Sequence, residues 1–154
     1  IGRLEIVPHP SGVIGIIDYA HTQDALLNSL QTIRDLAGDK KIIVVFGCGG
    51  DRDASKRAPM GKIAKDHADI AIVTSDNPRS EEPMKIISDI TTGMQPIDPE
   101  TVKIIPNRRE AIAAAKDMAA PGDIVIIAGK GHETYQETLT GKEHFSDHEE
   151  FLKN

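Results

Sequence analysis

Four short stretches of this 154-residue chain gather side chains able to bind charge, and each follows an apolar run. They are Asp18-Tyr19-Ala20-His21, Gly49-Gly50-Asp51-Arg52-Asp53, Asp76-Asn77-Pro78-Arg79 and Gly129-Lys130-Gly131-His132-Glu133. The guanidinium of Arg79 can fork onto a carboxylate, while the neighbouring Asp76 carboxylate and Asn77 amide can meet an ammonium. Arg79 has the stiffest setting, because Pro78 fixes its own φ and pushes Asn77 away from the helical region. A small ligand carrying both a carboxylate and an ammonium suits this mixture. Any one stretch is equally a solvated surface turn. Together they point to a binding edge, since parallel strands end on one side and open α/β sheets take ligands there.

Familiar nucleotide signatures fail when matched literally. Gly47-Cys48-Gly49-Gly50 is not GxGxxG, and Gly129-Lys130-Gly131-His132-Glu133-Thr134 ends in threonine where a third glycine belongs. Gly61-Lys62, Gly129-Lys130 and Gly141-Lys142 lack the Ser or Thr of a phosphate loop. His144 and His148 stand four apart beside Asp147 and Glu149, a spacing that metal sites use. A helix start at Ser146 explains that segment better, and no metal site is expected. His21 and His132 each fit either acid–base chemistry or the holding of a loop. Cys48 between glycines reads as a small residue, with no histidine adjacent in sequence to make it a nucleophile.

The elements that position these stretches follow from periodicity. Val13–Ile17, Ile42–Phe46, Ile70–Val73, Val102–Ile105 and Ile124–Ala128 are continuous apolar runs, the mark of strands buried on both faces. Between them lie helical patterns. Thr22 caps a helix carrying Leu26, Leu30, Ile33 and Ala37, and Gly38 ends it. A short helix is expected over Pro59–His67. Ser80 is the expected cap of the next, with Glu81 and Glu82 in its first turn and Ile86, Ile87 and Ile90 buried. Asn107 with Glu110, and Ser146 with Glu149, form capping boxes for two more helices. Tyr135–Leu139 and Glu143–Phe145 read as a hairpin. The fold class is α/β: one Rossmann-like three-layer domain over residues 1–154, with a mostly parallel sheet of about six strands and helices on both faces.

Composition narrows the function classes. Twenty-four acidic against eighteen basic residues leave a net charge of −6, and there are only two Tyr, three Phe and no Trp. A nucleic-acid surface would want a basic patch and stacking rings. No apolar run approaches the roughly 20 residues of a membrane span, and no signal-peptide pattern opens the chain. With a single cysteine, a reducing, cytoplasmic setting is expected.

Taken in order, Gly2-Arg3-x-Glu5, Asp18-Tyr19-Ala20-His21-Thr22, Gly47-Cys48-Gly49-Gly50-Asp51-Arg52-Asp53, Asp76-Asn77-Pro78-Arg79 and Gly129-Lys130-Gly131-His132-Glu133 resemble the C-terminal domain of the Mur ligases of peptidoglycan synthesis. The Asp-Asn-Pro-Arg loop resembles the branch that adds diaminopimelate, since lysine-adding relatives lack its arginine. The resemblance implies an ATP-dependent ligase joining meso-diaminopimelate to UDP-MurNAc-L-Ala-D-Glu. By position, Arg52, Asp76, Asn77, Pro78, Arg79, Gly129 and Glu133 would hold diaminopimelate, while Arg3, Asp18 and His21 would face the nucleotide. ATP and Mg²⁺ would be bound mainly by a central domain outside this chain. No residue here is expected to be catalytic by itself, and the chain alone is expected to be inactive.

One departure from the family pattern is Gln23, where proline usually follows the His-Thr pair; glutamine is an acceptable helix former there. Other readings are a stand-alone amino-acid-binding or regulatory module, a lysine-adding ligase, and a folylpolyglutamate-synthase-like fragment. The Asp76-Asn77-Pro78-Arg79 loop argues against the last two.

Overall fold

The computed structural model describes residues 3–154, so Gly2 of the opening motif lies outside the described residues. A six-stranded sheet runs in the order β1 (Glu5–Pro8), β2 (Ile14–Asp18), β6 (Ile124–Ala128), β3 (Ile42–Phe46), β4 (Ile70–Val73) and β5 (Val102–Ile104). Every neighbouring pair is parallel except β1 with β2. Because side chains alternate across a strand, the central strands feed two cores. Ile42, Val44 and Phe46 face one side, with Leu26, Leu30 and Ile33 of α1 (Gln23–Ala37), Met60 and Ala64 of α2 (Arg57–His67), and the isoleucines of α3 (Pro83–Thr92). Ile43 and Val45 face the other, with Ala111, Ile112 and Ala115 of α4 (Arg108–Met118) and Phe151 of α5 (Asp147–Leu152). The layers are helix, sheet, helix. Among the described residues no helix is long and apolar enough to cross a membrane.

Most helix starts fall where capping chemistry puts them. Thr22, extended at φ −124° and ψ 162°, accepts from Ala25 N–H, and Gly38 closes α1 with φ +63°. Asn107 caps α4 through Glu110 N–H, and Ser146 caps α5 through Glu149 N–H. The second half of the latter box is diverted, because the Glu149 carboxylate accepts from His144 Nε2 at 2.7 Å. Two helix starts differ from expectation. The helix placed at Pro59 begins at Arg57, after a 3₁₀ turn over Ala54–Lys56. The helix assigned to a Ser80 cap begins at Pro83, with Glu82 as its cap. Ser80 is otherwise engaged: its Oγ donates to Asp51 Oδ1 at 2.7 Å.

The first strand, β1, escaped the pattern. It is a four-residue edge strand with one buried residue, Val7, and a proline at its end. Too few apolar residues stand there to register a period. The expected hairpin forms apart from the main sheet, with β7 (Tyr135–Thr138) paired to β8 (Gly141–His144), a second strand that begins two residues earlier than the expected Glu143.

Candidate functional site

Strands β6, β3 and β4 are adjacent and parallel, so the loops at their C-terminal ends emerge side by side. Their contact is close. Gly50 N–H donates to Asn77 O at 2.8 Å, and a Cβ on Gly50 would stand 1.8 Å from Pro78 O. Only glycine permits that approach. Gly129, at φ +114°, leaves room for Asp76, whose Oδ2 would lie 2.6 Å from a Cβ there.

Among the described residues, three other than glycine take left-handed backbone: Leu4 at φ +46°, Asp51 at +57° and Arg79 at +53°. Such conformations cost on the order of 1 kcal/mol or more and persist when the surroundings enforce them. Each is pinned by an acidic residue from another element. Asp18 Oδ1 accepts from Leu4 N–H at 3.1 Å. Glu81 Oε1 accepts from Asp51 N–H at 2.8 Å. Glu137 O accepts from Arg79 N–H at 3.0 Å. These three positions are next to Arg3, next to Arg52, and Arg79 itself, the arginines that sequence reasoning singled out.

The loops enclose a cavity of about 370 Å³ lined by Arg52, Asp76, Asn77, Arg79, Gly129 and Glu133, together with Lys56, Asp53 and the Tyr19–His21 loop. Six of the seven residues expected to hold the amino acid therefore meet. Pro78 is the exception. It packs beneath Gly50 and lines a separate groove with Ser80 and Leu139. Cations and carboxylates face one another across the space, an arrangement for holding a zwitterion. Arg79 Nη1 donates to Gly50 O at 2.9 Å and its Nε to Glu137 Oε1 at 3.3 Å. Burial pushes the Asp76 carboxyl upward, against the pull of Arg108 and Lys130. Burial likewise raises the Cys48 thiol to about 12, so Cys48 lines the cavity without being a nucleophile at neutral pH.

Arg3, Asp18 and His21 share a second cavity of about 440 Å³, and Tyr19 and His21 line both it and the first. Asp18 is buried, and its Oδ2 accepts from Ser29 Oγ at 2.6 Å and from Ala20 N–H at 3.3 Å. With Oδ1 on Leu4, both oxygens tie the chain together, so Asp18 shapes this cavity from behind. His21 is exposed, and its Nδ1 lies 2.8 Å from Tyr19 O. His132 stacks edge-on against Tyr19 with ring centroids 5.0 Å apart.

Sequence reasoning assigned no role to the supporting residues, although Lys130 lies within one of the charged stretches. Lys130, wholly buried, donates to Asn77 Oδ1 at 2.9 Å and Glu133 Oε1 at 3.1 Å. Arg57, also buried, grips the Glu81 carboxylate with both Nη atoms, and its Nη2 also holds Gly49 O at 3.1 Å. Arg108 pairs with buried Asp147 at 2.7 Å and reaches the carbonyls of Ser75 and Ala128, bracing the ends of β4 and β6. Arginine or lysine inside an apolar-patterned helix or after a buried strand was the available signal.

The family described as Mur ligase, glutamate ligase domain, matches residues 2–131. A UDP-N-acetylmuramoyl-L-alanyl-D-glutamate–2,6-diaminopimelate ligase of Clostridioides difficile is 52% identical over 148 residues, covering 96% of this chain and 30% of that protein. A protein of the same name from Lactiplantibacillus plantarum is 51% identical over 152 residues, covering 99% and 30%. A solved structure bearing that name superposes with a TM-score of 0.87 at 42% identity, over 98% of this chain and 30% of the other. The chain thus spans about 30% of the length of the proteins it matches.

Proposed function

We infer function from kinship and site together: the chain belongs to the Mur ligase family, as its glutamate ligase domain. Residues 1–154 are read as one domain of a longer ATP-dependent ligase that joins meso-diaminopimelate to the D-glutamyl γ-carboxylate of UDP-MurNAc-L-Ala-D-Glu in the cytoplasm. The observation that carries this is the meeting of Arg52 and Arg79 with Asp76 and Glu133 in one cavity. Diaminopimelate has two carboxylates and two amino groups, and the cavity offers partners for both kinds. Arg79 reads the distal carboxylate, the group that lysine lacks. Glu133 and Asp76 take an ammonium, and Asn77 donates from Nδ2.

In the reaction, ATP phosphorylates the γ-carboxylate, the free amine attacks the acyl phosphate, and phosphate leaves. The role of this chain is to hold the amine donor in reach of that carbonyl, an effect of orientation. Arg3 and His21, around the second cavity, face the nucleotide as the domain closes over it. ATP and the Mg²⁺ that accompanies it are held mainly outside this chain, and no step through the metal is assigned to its residues.

The test is phosphate release by the full-length ligase that carries this chain. Release is expected only when ATP, UDP-MurNAc-L-Ala-D-Glu and diaminopimelate are all present. Release that ignores diaminopimelate, or that lysine supports equally, contradicts the assignment.

A further inference from the structure

We propose that Glu137 is a positioning residue for Arg79 and so a determinant of selection for amino acids with a distal carboxylate, an inference that rests on the reading of Arg79 given above. Glu137 is the third residue of β7. Its main-chain carbonyl accepts from Arg79 N–H at 3.0 Å. Its Oε1 accepts from Arg79 Nε at 3.3 Å, and its own N–H donates to Asn77 Oδ1 at 2.9 Å. One hairpin residue thus touches the backbone and side chain of Arg79 and the amide of Asn77. The preceding residue adds another tie, with Gln136 Nε2 donating to Asp76 O at 2.8 Å.

From the opposite side Arg79 Nη1 donates to Gly50 O at 2.9 Å and, more weakly, to Asn77 O at 3.5 Å. A planar guanidinium held at both Nε and Nη1 has its last torsion set. Nη2 then has no hydrogen-bond partner among the described residues and is left for a ligand. Holding the fork in advance is what makes arginine selective for a carboxylate. The Arg79 and Glu137 side chains retain 20% and 35% exposure, and a pair that open adds little stability. Its consequence is orientation. Glu137 holds the loop through main-chain atoms and aims the guanidinium through its side chain, so a side-chain substitution isolates the second role.

The experiment compares Glu137→Ala, Glu137→Gln and Arg79→Ala in the full-length ligase, measuring kcat/KM for diaminopimelate and for lysine, with KM for ATP and the thermal midpoint as controls. Glu137→Ala is expected to raise KM for diaminopimelate about tenfold, the low end for losing a hydrogen bond to a charged group. Lysine kinetics, KM for ATP and the thermal midpoint should stay near the parent values. Glu137→Gln keeps an acceptor for Nε and should recover most of the loss. If Arg79→Ala collapses the preference while Glu137→Ala leaves it intact, Glu137 has no positioning role. Tighter diaminopimelate binding in Glu137→Ala also overturns the proposal, by showing that this carboxylate competes with the ligand. If Arg79→Ala leaves the preference unchanged, the reading of Arg79 falls, and the role of Glu137 with it.

Discussion

Lys130 and Asn77, 53 residues apart in sequence, meet through a 2.9 Å hydrogen bond in which the buried ammonium donates to the amide oxygen. The same ammonium reaches Glu133 Oε1 at 3.1 Å, and Asn77 Nδ2 lies 3.4 Å from that oxygen. Lys130 therefore fixes which way the Asn77 amide points and where Glu133 sits. Two residues that line the cavity are set by one that does not line it.

Lys130→Met keeps the length and removes the charge. Stability of the chain should fall by about 1–3 kcal/mol, the cost of leaving polar partners incompletely satisfied. The urea midpoint at constant m-value measures it. An unchanged or higher midpoint would mean that burying the ammonium costs more than its two bonds return.

Gln23→Pro should stabilise the chain by about 0.4–1 kcal/mol. Thr22 is the cap and Gln23 the first helical residue, a position whose N–H has no intrahelical partner. The extended Thr22 backbone, φ −124° and ψ 162°, already suits a following proline. Thermal unfolding decides the matter, and a lowered midpoint refutes this placement of the helix start.

Stability should also depend on pH through Glu81. Its bonds from Arg57 and from Asp51 N–H hold the carboxyl down to about 2, against an ordinary 4.5. A group depressed by folding stabilises above its unfolded value and loses that contribution as pH falls towards its folded one. The midpoint should therefore drop between pH 4.5 and about 2, and Glu81→Gln should flatten the drop in that window. Identical slopes in parent and variant would remove Glu81 from the explanation.

What was legible in the sequence is what local chemistry determines. Ile42–Phe46 and Ile124–Ala128 are apolar throughout because both faces of their strands are covered. Thr22 and Asn107 cap helices because their side chains reach N–H groups three residues on. Ser80 misled, because its hydroxyl answers to Asp51, 29 residues away. Likewise Glu137 reveals its role only when the hairpin folds back 58 residues to Arg79. The residues facing the candidate site stood out as dense charge in loops. Arg57 and Arg108 beneath it did not, and Lys130 stood out as charge without its supporting role, since their partners are set by tertiary structure.

The central claim is that Arg79 reads the distal carboxylate of the incoming amino acid, and the direct measurement is kcat/KM for diaminopimelate and for lysine in Arg79→Ala and Arg79→Lys forms of the full-length ligase. A site built around a polar group can reject the analogue lacking it by about 10⁴-fold or more. Arg79→Ala should lower kcat/KM for diaminopimelate by at least about thirtyfold, as expected when one partner of a desolvated charge pair is removed, and leave lysine nearly unaffected. Arg79→Lys should recover little, because a single ammonium on a flexible stem cannot be held by Glu137 and Gly50 O and still present a fixed donor to the carboxylate. A diaminopimelate-to-lysine ratio that stays at the parent value in both variants would contradict the claim.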